Sequence, residues 1–332
     1  MKLPTLNSIH STLRFGRCLF GSWAFALLLA TPAIASERYA VIVSGASGGE
    51  KYAEQQQKWR ASLAASLKAR FVFADANLMM LDEVSEGSSK ANADNVRRVM
   101  GDLRRRATRD DTIFLVLLGH GTFDGADAKF NLVGPDLSAA EWKGLLDGIS
   151  GRVVFVDTTE ASFPFLDALS SRGRVVITAT DSAMQRFATV FPEYFILALA
   201  DVASDLDRNG RVSVWEAFAA ASAGVRRHYE RRGQLSTERP LLDDNGDREG
   251  RDAEAPGDDG TIARTIFLDP APGTGAADAA VAALERQRVI LETQIEDLKA
   301  RKPTLSEAEY QAELEKLLLQ LARVAQQIRQ GS

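Results

Sequence analysis

Reactive side chains stand directly after two apolar runs of this 332-residue sequence. The first run, Thr112–Leu118, leads into Gly119, His120 and Gly121. A histidine between two glycines at the carboxyl end of a central strand is accessible to solvent, and the glycines let a substrate backbone approach closely. On position alone, a catalytic or binding role for His120 and a structural role in a turn are equally well supported.

The next predicted strand, Arg152–Val156, ends in the polar run DTTEAS at residues 157–162. Neighbouring parallel strands end at the same edge of a sheet, so a hydroxyl of this run is expected beside His120. A hydroxyl nucleophile beside a basic imidazole is the arrangement that acyl transfer requires. The two runs together predict one candidate site.

Positioning these residues requires a covered parallel sheet, and the pattern between residues 38 and 268 predicts one. Short apolar, β-branched runs alternate with amphipathic stretches, which is typical of α/β proteins. Strands are predicted at Tyr39–Val43, Ala69–Phe73, Thr112–Leu118, Arg152–Val156, Arg174–Ala179 and Ile262–Leu268. Helices are predicted near residues 50–68, 92–107, 138–147, 163–171, 190–204 and 214–231. The central runs are apolar on both faces, so helices should cover both sides of the sheet.

Parts of the sequence resemble a known peptidase family. The run VIVSGASGG at residues 41–49, with Tyr52 and Gln55 after it, is similar to the first strand and loop of legumain. A strand ending in His-Gly, followed by a parallel strand with an acidic residue before the nucleophile position, resembles the caspase-haemoglobinase fold. Residues 38–268 are most similar to bacterial relatives of the legumain family of cysteine peptidases. The resemblance implies a caspase-like three-layer sandwich and assigns the family's histidine to His120.

The family's cysteine position carries a hydroxyl residue in this sequence. Alignment of the strands in register implies Thr159, whereas alignment of Glu160-Ala161-Ser162 with the family's Glu-Ala-Cys implies Ser162. Ser47 replaces the family's orienting asparagine in the first loop. A hydroxyl is a weaker nucleophile than a thiolate, so such a replacement usually removes activity unless the site is rebuilt around an oriented base.

A rebuilt site needs a carboxylate behind His120, and Asp124 and Asp157 are the close candidates in sequence. The favoured interpretation of each is structural: Asp124 shapes a turn, and Asp157 caps the helix that follows it. The sequence therefore favours a pseudo-peptidase that binds peptide or protein partners. An active peptidase or hydrolase that uses Ser162 or Thr159 with His120 is the alternative.

The first 35 residues have the pattern of a signal peptide. A basic start precedes the apolar run Cys18–Ala30, and Ala33-Ile34-Ala35 offers small residues at a cleavage site. The run is shorter than the ~20 residues of a membrane span, which favours cleavage over an uncleaved anchor and predicts a periplasmic or secreted protein. Cleavage removes three basic residues and Cys18, the one cysteine, and lowers the net charge from −5 to −8.

The exported chain is therefore expected to be acidic and free of thiols. Such a chain forms no disulfide and has no thiolate nucleophile. Its acidity argues against nucleic acid as a partner, because phosphate contacts require basic residues. Since no later stretch approaches membrane-spanning length, no transmembrane segment is expected after cleavage.

Residues 205–216 match the twelve-residue EF-hand calcium loop at every diagnostic position. Carboxylates at positions 1 and 3, an amide at 5 and a glutamate at 12 supply hard oxygen ligands, and Gly210 forms the turn. The expected ligands are Asp205, Asp207, Asn209, Arg211 through its carbonyl, Ser213 and Glu216. Because a single loop lacks the usual paired partner, we expect bound Ca²⁺ to clamp the two flanking helices rather than to act as a sensor.

A second acidic stretch lies at residues 243–260, and its charge and glycine content predict a mobile loop. Its turn at 243–247 is either solvated or a second cation site. The solvated loop is the favoured interpretation, because no twelve-position match was found there.

The C-terminal residues differ from the sheet domain, which is predicted at 36–269. A linker at 270–277 leads to a predicted helical hairpin at 278–332. The apolar residues of its second helix follow heptad spacing, at Tyr310, Leu314, Leu317, Leu321, Val324 and Ile328. The first helix has a looser apolar seam, at Leu284, Leu291, Ile295 and Leu298. Ser306 and Glu309 predict a capping box. Packing within the chain is favoured, and self-association as a coiled-coil assembly protein is the other alternative.

Overall fold

The computed structural model describes residues 36–270, separate residues within 284–302, and residues 305–331. The predicted signal peptide and the predicted linker beyond residue 270 lie outside this part of the chain. Within the described residues, no helix combines the length and the apolar character that crossing a bilayer requires.

The strands of the sheet domain lie between residues 38 and 243, with helices between most of them. The described strands are β1 (Arg38–Ser44), β2 (Leu78–Leu81), β3 (Thr112–Leu118), β4 (Gly121–Phe123), β5 (Ala128–Phe130), β6 (Leu137–Ser138), β7 (Arg152–Asp157), β8 (Arg174–Thr178) and β9 (Leu241–Asp243). The described helices are α1 (Glu50–Ala69), α2 (Ala93–Arg106), α3 (Ala139–Leu146), α4 (Phe163–Leu169), α5 (Phe191–Ala200), α6 (Val214–Arg231) and α7 (Glu307–Gly331).

A six-stranded sheet has the order β2-β1-β3-β7-β8-β9. Its first five strands are parallel, and β9 pairs antiparallel with β8. Ser44 pairs with Leu118, and Leu117 pairs with Asp157, so the carboxyl ends of β1, β3 and β7 meet at one edge. The predicted mostly parallel α/β sheet is confirmed.

Helices cover both faces of this sheet, as the doubly apolar strands require. On one face, Phe114 and Ile42 pack in a cluster with residues of α1, α5 and α6. On the other face, Leu115 and Val43 pack with residues of α2, α3 and α4. The alternation of side chains along each strand therefore supplies two cores and produces three layers.

The strand predicted at Ala69–Phe73 was wrong. Helix α1 continues to Ala69, and the edge strand is β2, further along the chain. Phe71 and Phe73 are buried from a turn in which Val72 has a φ of 52°. These two residues are apolar because they pack in the core that α1, α5 and α6 form with the sheet, and not because they pair in the sheet.

The strand predicted at Ile262–Leu268 was also wrong. This segment forms a short 3-10 helix at Ala263–Thr265 and a single bridge between Phe267 and Ser213. Asp244 accepts a hydrogen bond from the Ala263 amide at 2.8 Å, which favours the helical turn. The last strand of the sheet is instead the three-residue β9.

A small antiparallel sheet, β4-β5-β6, was not predicted from the sequence. It begins at Gly121, directly after His120, and the Asn131 amide donates to the His120 carbonyl at 3.0 Å. The short sheet thus fixes the backbone that follows β3.

The apolar residues of the C-terminal region form one cluster, separate from the two cores of the sheet domain. Leu291, Ile295 and Leu298 share it with Leu317 and other residues of α7. The predicted capping box is confirmed, because Ser306 and Glu309 exchange hydrogen bonds at the start of α7.

Candidate functional site

His120 lies at the carboxyl end of β3, where its ring is partly buried. Gly119 precedes it with a φ of 148°, a conformation that favours glycine. The Nδ1 atom of His120 lies 3.0 Å from Oε1 of Glu160, and the Tyr52 ring packs edge-on at 4.7 Å between centroids. The hydrogen bond with Glu160 raises the pKa of His120 above its ordinary value, although burial opposes the shift.

Glu160 is the carboxylate partner of His120, and the sequence analysis did not identify it. It follows β7 by three residues, and its side chain is 13% exposed. The predicted carboxylates lie elsewhere: Asp124 accepts hydrogen bonds from the amides of Ala126 and Asp127, which shape a turn. These bonds hold the pKa of the exposed Asp124 below its ordinary value. The contacts of Asp124 are therefore those of a residue that shapes a turn.

Asp157 is completely buried at the end of β7. Its Oδ1 accepts from the Thr159 amide at 2.9 Å, while no described residue forms a hydrogen bond with its Oδ2. Burial raises the pKa of this carboxyl to about 7, and the Thr159 amide opposes the shift. Asp157 therefore organises the turn after β7 and makes no hydrogen bond to His120.

Thr159 is completely buried beside Gly121. A Cβ added at Gly121 would lie 2.6 Å from its hydroxyl oxygen, so the backbone of Gly121 approaches this side chain closely. Among the residues that the structure describes, this hydroxyl has no hydrogen-bond partner. Thr159 thus lies on the neighbouring strand end, as the register alignment predicts, but it is not open to solvent.

The Ser162 hydroxyl is also fully buried, and its hydrogen bonds hold the turn after β8. It accepts hydrogen bonds from the amides of Ala179 and Thr180 at 3.1 and 3.2 Å, and it contacts the Thr180 hydroxyl at 3.1 Å. This hydroxyl contributes to the structure of two adjacent strand ends, and its described bonds do not include His120.

Ser47 meets His120 through its backbone. A backbone hydrogen bond with Ser47 contributes to the raised pKa of the imidazole. The Ser47 amide itself donates to Glu83 at 2.9 Å. The contact between Ser47 and His120 is therefore made by the backbone of Ser47.

A cavity of about 440 Å³ opens near the same edge of the sheet. Its wall includes Asp181, Arg239 and small residues of α6 such as Ala219. Asp181 follows Thr180, whose hydroxyl donates to the Glu160 carbonyl at 3.2 Å. A chain of contacts thus connects this cavity to the His120–Glu160 pair.

The predicted calcium loop brings its carboxylates together. One oxygen from each of Asp205, Asp207 and Glu216 lies within 4.8 Å of the others. Asp205 accepts from the amides of Asn209 and Gly210. The Arg211 amide donates to Asn209 at 2.8 Å. This donor set consists of hard oxygens, which suits a calcium ion.

Three further contacts hold this loop in place. Ser213 forms a capping box with Glu216 at the start of α6, and it also forms a single antiparallel bridge with Phe267. Arg288, from the C-terminal region, is buried with its guanidinium 3.3 Å from Asp207. A cationic side chain therefore already contacts one of the predicted ligands.

The acidic segment at residues 243–260 is exposed or half-buried over its middle part, as expected of a solvated loop, but both of its ends are buried. Asp243 and Asp244 are completely buried. Asp244 accepts from the amides of Gly260 and Ala263, and Asp243 accepts from those of Gly246 and Arg248. These carboxylates are buried because they satisfy backbone donors, which composition alone does not reveal.

No protein-family model matches the sequence, and no curated protein matches it. Among solved structures, a protein from Geobacter sulfurreducens is 14% identical, with 62% of this chain and 92% of that chain covered and a TM-score of 0.41. The Drosophila initiator caspase Dronc is also 14% identical, with 75% of this chain and 96% of that chain covered and a TM-score of 0.40.

Proposed function

We propose that this chain is an exported pseudo-peptidase of the caspase-haemoglobinase type, related to the legumain family, that binds peptide or protein partners without cleaving them. The observation that carries the proposal is the state of the two candidate nucleophiles. The Thr159 hydroxyl is buried and has no hydrogen-bond partner among the described residues. The Ser162 hydroxyl accepts hydrogen bonds from the amides of Ala179 and Thr180. Neither hydroxyl is presented to a substrate carbonyl.

The strand order supports the proposed fold type. His120 follows β3 and Thr159 follows β7, and these strands are neighbours in the sheet. This is the relation that the resemblance implies for the family's histidine and cysteine. A partner would be bound at this edge, where Tyr52, the His120–Glu160 pair and the nearby cavity lie.

Cysteines introduced at the two candidate nucleophile positions test whether either side chain can reach a substrate. Thr159 and Ser162 are both completely buried, so we expect Thr159→Cys and Ser162→Cys to resist labelling by a thiol-directed electrophile in the folded chain and to be labelled after unfolding. Thr122→Cys, at an exposed position beside Gly121, is the matched control and should be labelled in the folded chain. Labelling is measured by intact-protein mass spectrometry at neutral pH on the chain that begins at residue 36, which has no other cysteine.

The parent chain provides the second arm of this test. Hydrolysis of a peptide library by the parent chain that is abolished by His120→Ala, with unchanged thermal stability, would overturn the pseudo-peptidase proposal. The active alternative draws support from Glu160, since a carboxylate bonded to Nδ1 is how an oriented histidine base is held. Labelling of the folded Thr159→Cys or Ser162→Cys chain as fast as that of Thr122→Cys would show an open nucleophile position and contradict the proposal.

Calcium is part of the proposal as a structural cofactor of the loop 205–216. The three clustered carboxylates and the Asn209 amide match the ligands that Ca²⁺ takes. The loop joins α5 to α6, which contact each other along the helical layer. Bound calcium would stabilise that junction by binding the folded chain in preference to the unfolded one.

A further inference from the structure

A second loop of the chain repeats the arrangement of the predicted calcium loop. Counting from Asp243, the chain carries Asp, Asn and Asp at positions 1, 3 and 5. Counting from Asp205, the same positions carry Asp, Asp and Asn. Both sets consist of short side chains that end in hard oxygen donors.

The two loops also share their internal hydrogen bonds. At position 3, Asn245 accepts from the position 5 amide at 2.7 Å, as Asp207 does at 3.0 Å. At position 5, Asp247 accepts from the position 7 amide at 2.7 Å, as Asn209 does at 2.8 Å. The backbone therefore turns the position 3 and 5 side chains in the same way in both loops.

Left-handed residues occur at the same places. Positions 4 and 6 have φ values of 81° and 70° at Gly246 and Arg248, and of 57° and 85° at Arg208 and Gly210. A positive φ is uncommon for a residue with a side chain, so this agreement reflects a common loop conformation. Loop conformation alone does not identify a ligand.

An independent observation comes from Asp259, which is 5% exposed. Its Oδ1 accepts from the Asp244 amide, at position 2 of the loop, while its Oδ2 is buried and has no hydrogen-bond partner in the described part of the chain. The neighbouring charges of Asp243, Asp244 and Asp247 are negative as well. A buried carboxylate oxygen without a partner, next to like charges, is costly unless a cation compensates it.

We propose that the loop 243–249, together with Asp259, forms a second calcium site. Asp243, Asn245 and Asp247 are its side-chain ligands at positions 1, 3 and 5, and the Glu249 carbonyl occupies position 7. Asp259 supplies the distant carboxylate that Glu216 supplies in the first loop.

The two loops close differently, which explains why a twelve-residue pattern does not reveal the second one. The first leads into α6, which carries Glu216. The second is closed as a hairpin, because Leu242 and Arg251 exchange two backbone hydrogen bonds of 2.9 Å. Glu254, at position 12 of the second loop, forms an ion pair with Arg226 on α6 instead. The site therefore requires a carboxylate from further along the chain.

Calcium stoichiometry of the full chain tests the proposal. Equilibrium dialysis against radioactive calcium should give two bound ions per chain, and Asp247→Ala should lose one of them, because it removes the ligand oxygens at position 5. Asp247 is exposed, so this variant should fold. Asp258→Ala is the matched control, because it removes a neighbouring exposed carboxylate and should retain both ions. Binding of one ion that Asp207→Ala abolishes and Asp247→Ala retains would overturn the second site.

Thermal melting of Asp259→Asn gives a separate readout. Removal of one of several neighbouring negative charges should raise the melting temperature without calcium and reduce the further rise that calcium produces. A variant that melts lower than the parent without calcium and keeps the full calcium-dependent rise would show a purely structural Asp259 and contradict the proposal.

Discussion

At the scale of single residues, the His120–Glu160 pair is the main electrostatic feature of the candidate site. The imidazole is held through Nδ1, so its charge depends on one carboxylate. In the pseudo-peptidase proposal, this pair orients the backbone or a side chain of the bound partner. In the active alternative, the imidazole of the pair accepts a proton from the nucleophile. In both cases, the protonation of His120 sets the charge that a partner meets.

Glu160→Gln should change the pH dependence of stability. The pKa of His120 is raised above its ordinary 6.5 by the hydrogen bond with Glu160. A raised histidine pKa adds stability that is fully present below about pH 6.5 and is lost as the pH rises through the folded value. The parent's advantage in melting temperature over Glu160→Gln should therefore be larger at about pH 6 than at about pH 9.

His228 provides an internal control for this experiment. Burial lowers the pKa of His228, and its hydrogen-bond partner is Tyr194 on the helical layer. In NMR titrations, the midpoint of His120 should fall in Glu160→Gln while that of His228 stays fixed. An advantage of the parent that is the same at both pH values would show that Glu160 acts through packing alone.

At the scale of elements, the contact between Arg288 and Asp207 couples the C-terminal region to the calcium loop. The guanidinium and a calcium ion are both cations that need the same carboxylate, so they compete. Arg288→Gln should therefore raise calcium affinity ~5-fold. Calorimetric titration of the full chain with calcium measures the change.

Two variants separate charge from packing in this prediction. Arg288→Lys keeps the charge and should leave calcium affinity close to that of the parent. Arg301→Gln removes a charge from the same region, where Arg301 pairs with Glu313 at 3.8 Å, and should have no effect. Unchanged or weaker calcium binding by Arg288→Gln would contradict the competition.

Elements that bury both faces were predictable from sequence, and short or irregular ones were not. The runs of β1, β3 and β7 are apolar throughout, so their place inside a covered sheet followed from composition. Strand β9 has three residues, too few for a periodic pattern. The prediction of a strand at Ala69–Phe73 was wrong because Phe71 and Phe73 are buried and lie two residues apart, as on one face of a strand. Val72 between them has a positive φ, so the segment is a turn.

The candidate site was predictable to the same degree. The positions of His120 and Thr159 followed from the rule that parallel strands present their carboxyl ends together. The choice of Glu160 as the imidazole's partner depends on how the chain turns after β7, which strand periodicity does not determine. The carboxylate type and the distance of three residues from the strand were the signals available for it.

At the scale of the whole molecule, the heptad seams are satisfied within one chain. Leu291, Ile295 and Leu298 are buried against Leu317 and Val324 without a second copy. We therefore expect a melting temperature that is independent of protein concentration over a ~100-fold range and a light-scattering mass of one chain.

Leu317→Asp serves as the control for this prediction. It should lower the melting temperature by breaking the cluster, because a buried charge without a partner is destabilising, yet leave the mass unchanged. A melting temperature that rises with concentration, or a parent mass of two chains that falls in Leu317→Asp, would show that the seam joins copies instead.

Both outer strands of the main sheet are partly covered by their own chain. Leu242 of β9 bridges Arg251, and Asp82, directly after β2, bridges Lys90. A bare strand edge is a template on which an extended peptide or another copy adds a further strand. These backbone groups are already engaged and cannot pair with an added strand. The partner binding that we propose would therefore rely on side chains at the edge where the carboxyl ends of β1, β3 and β7 meet.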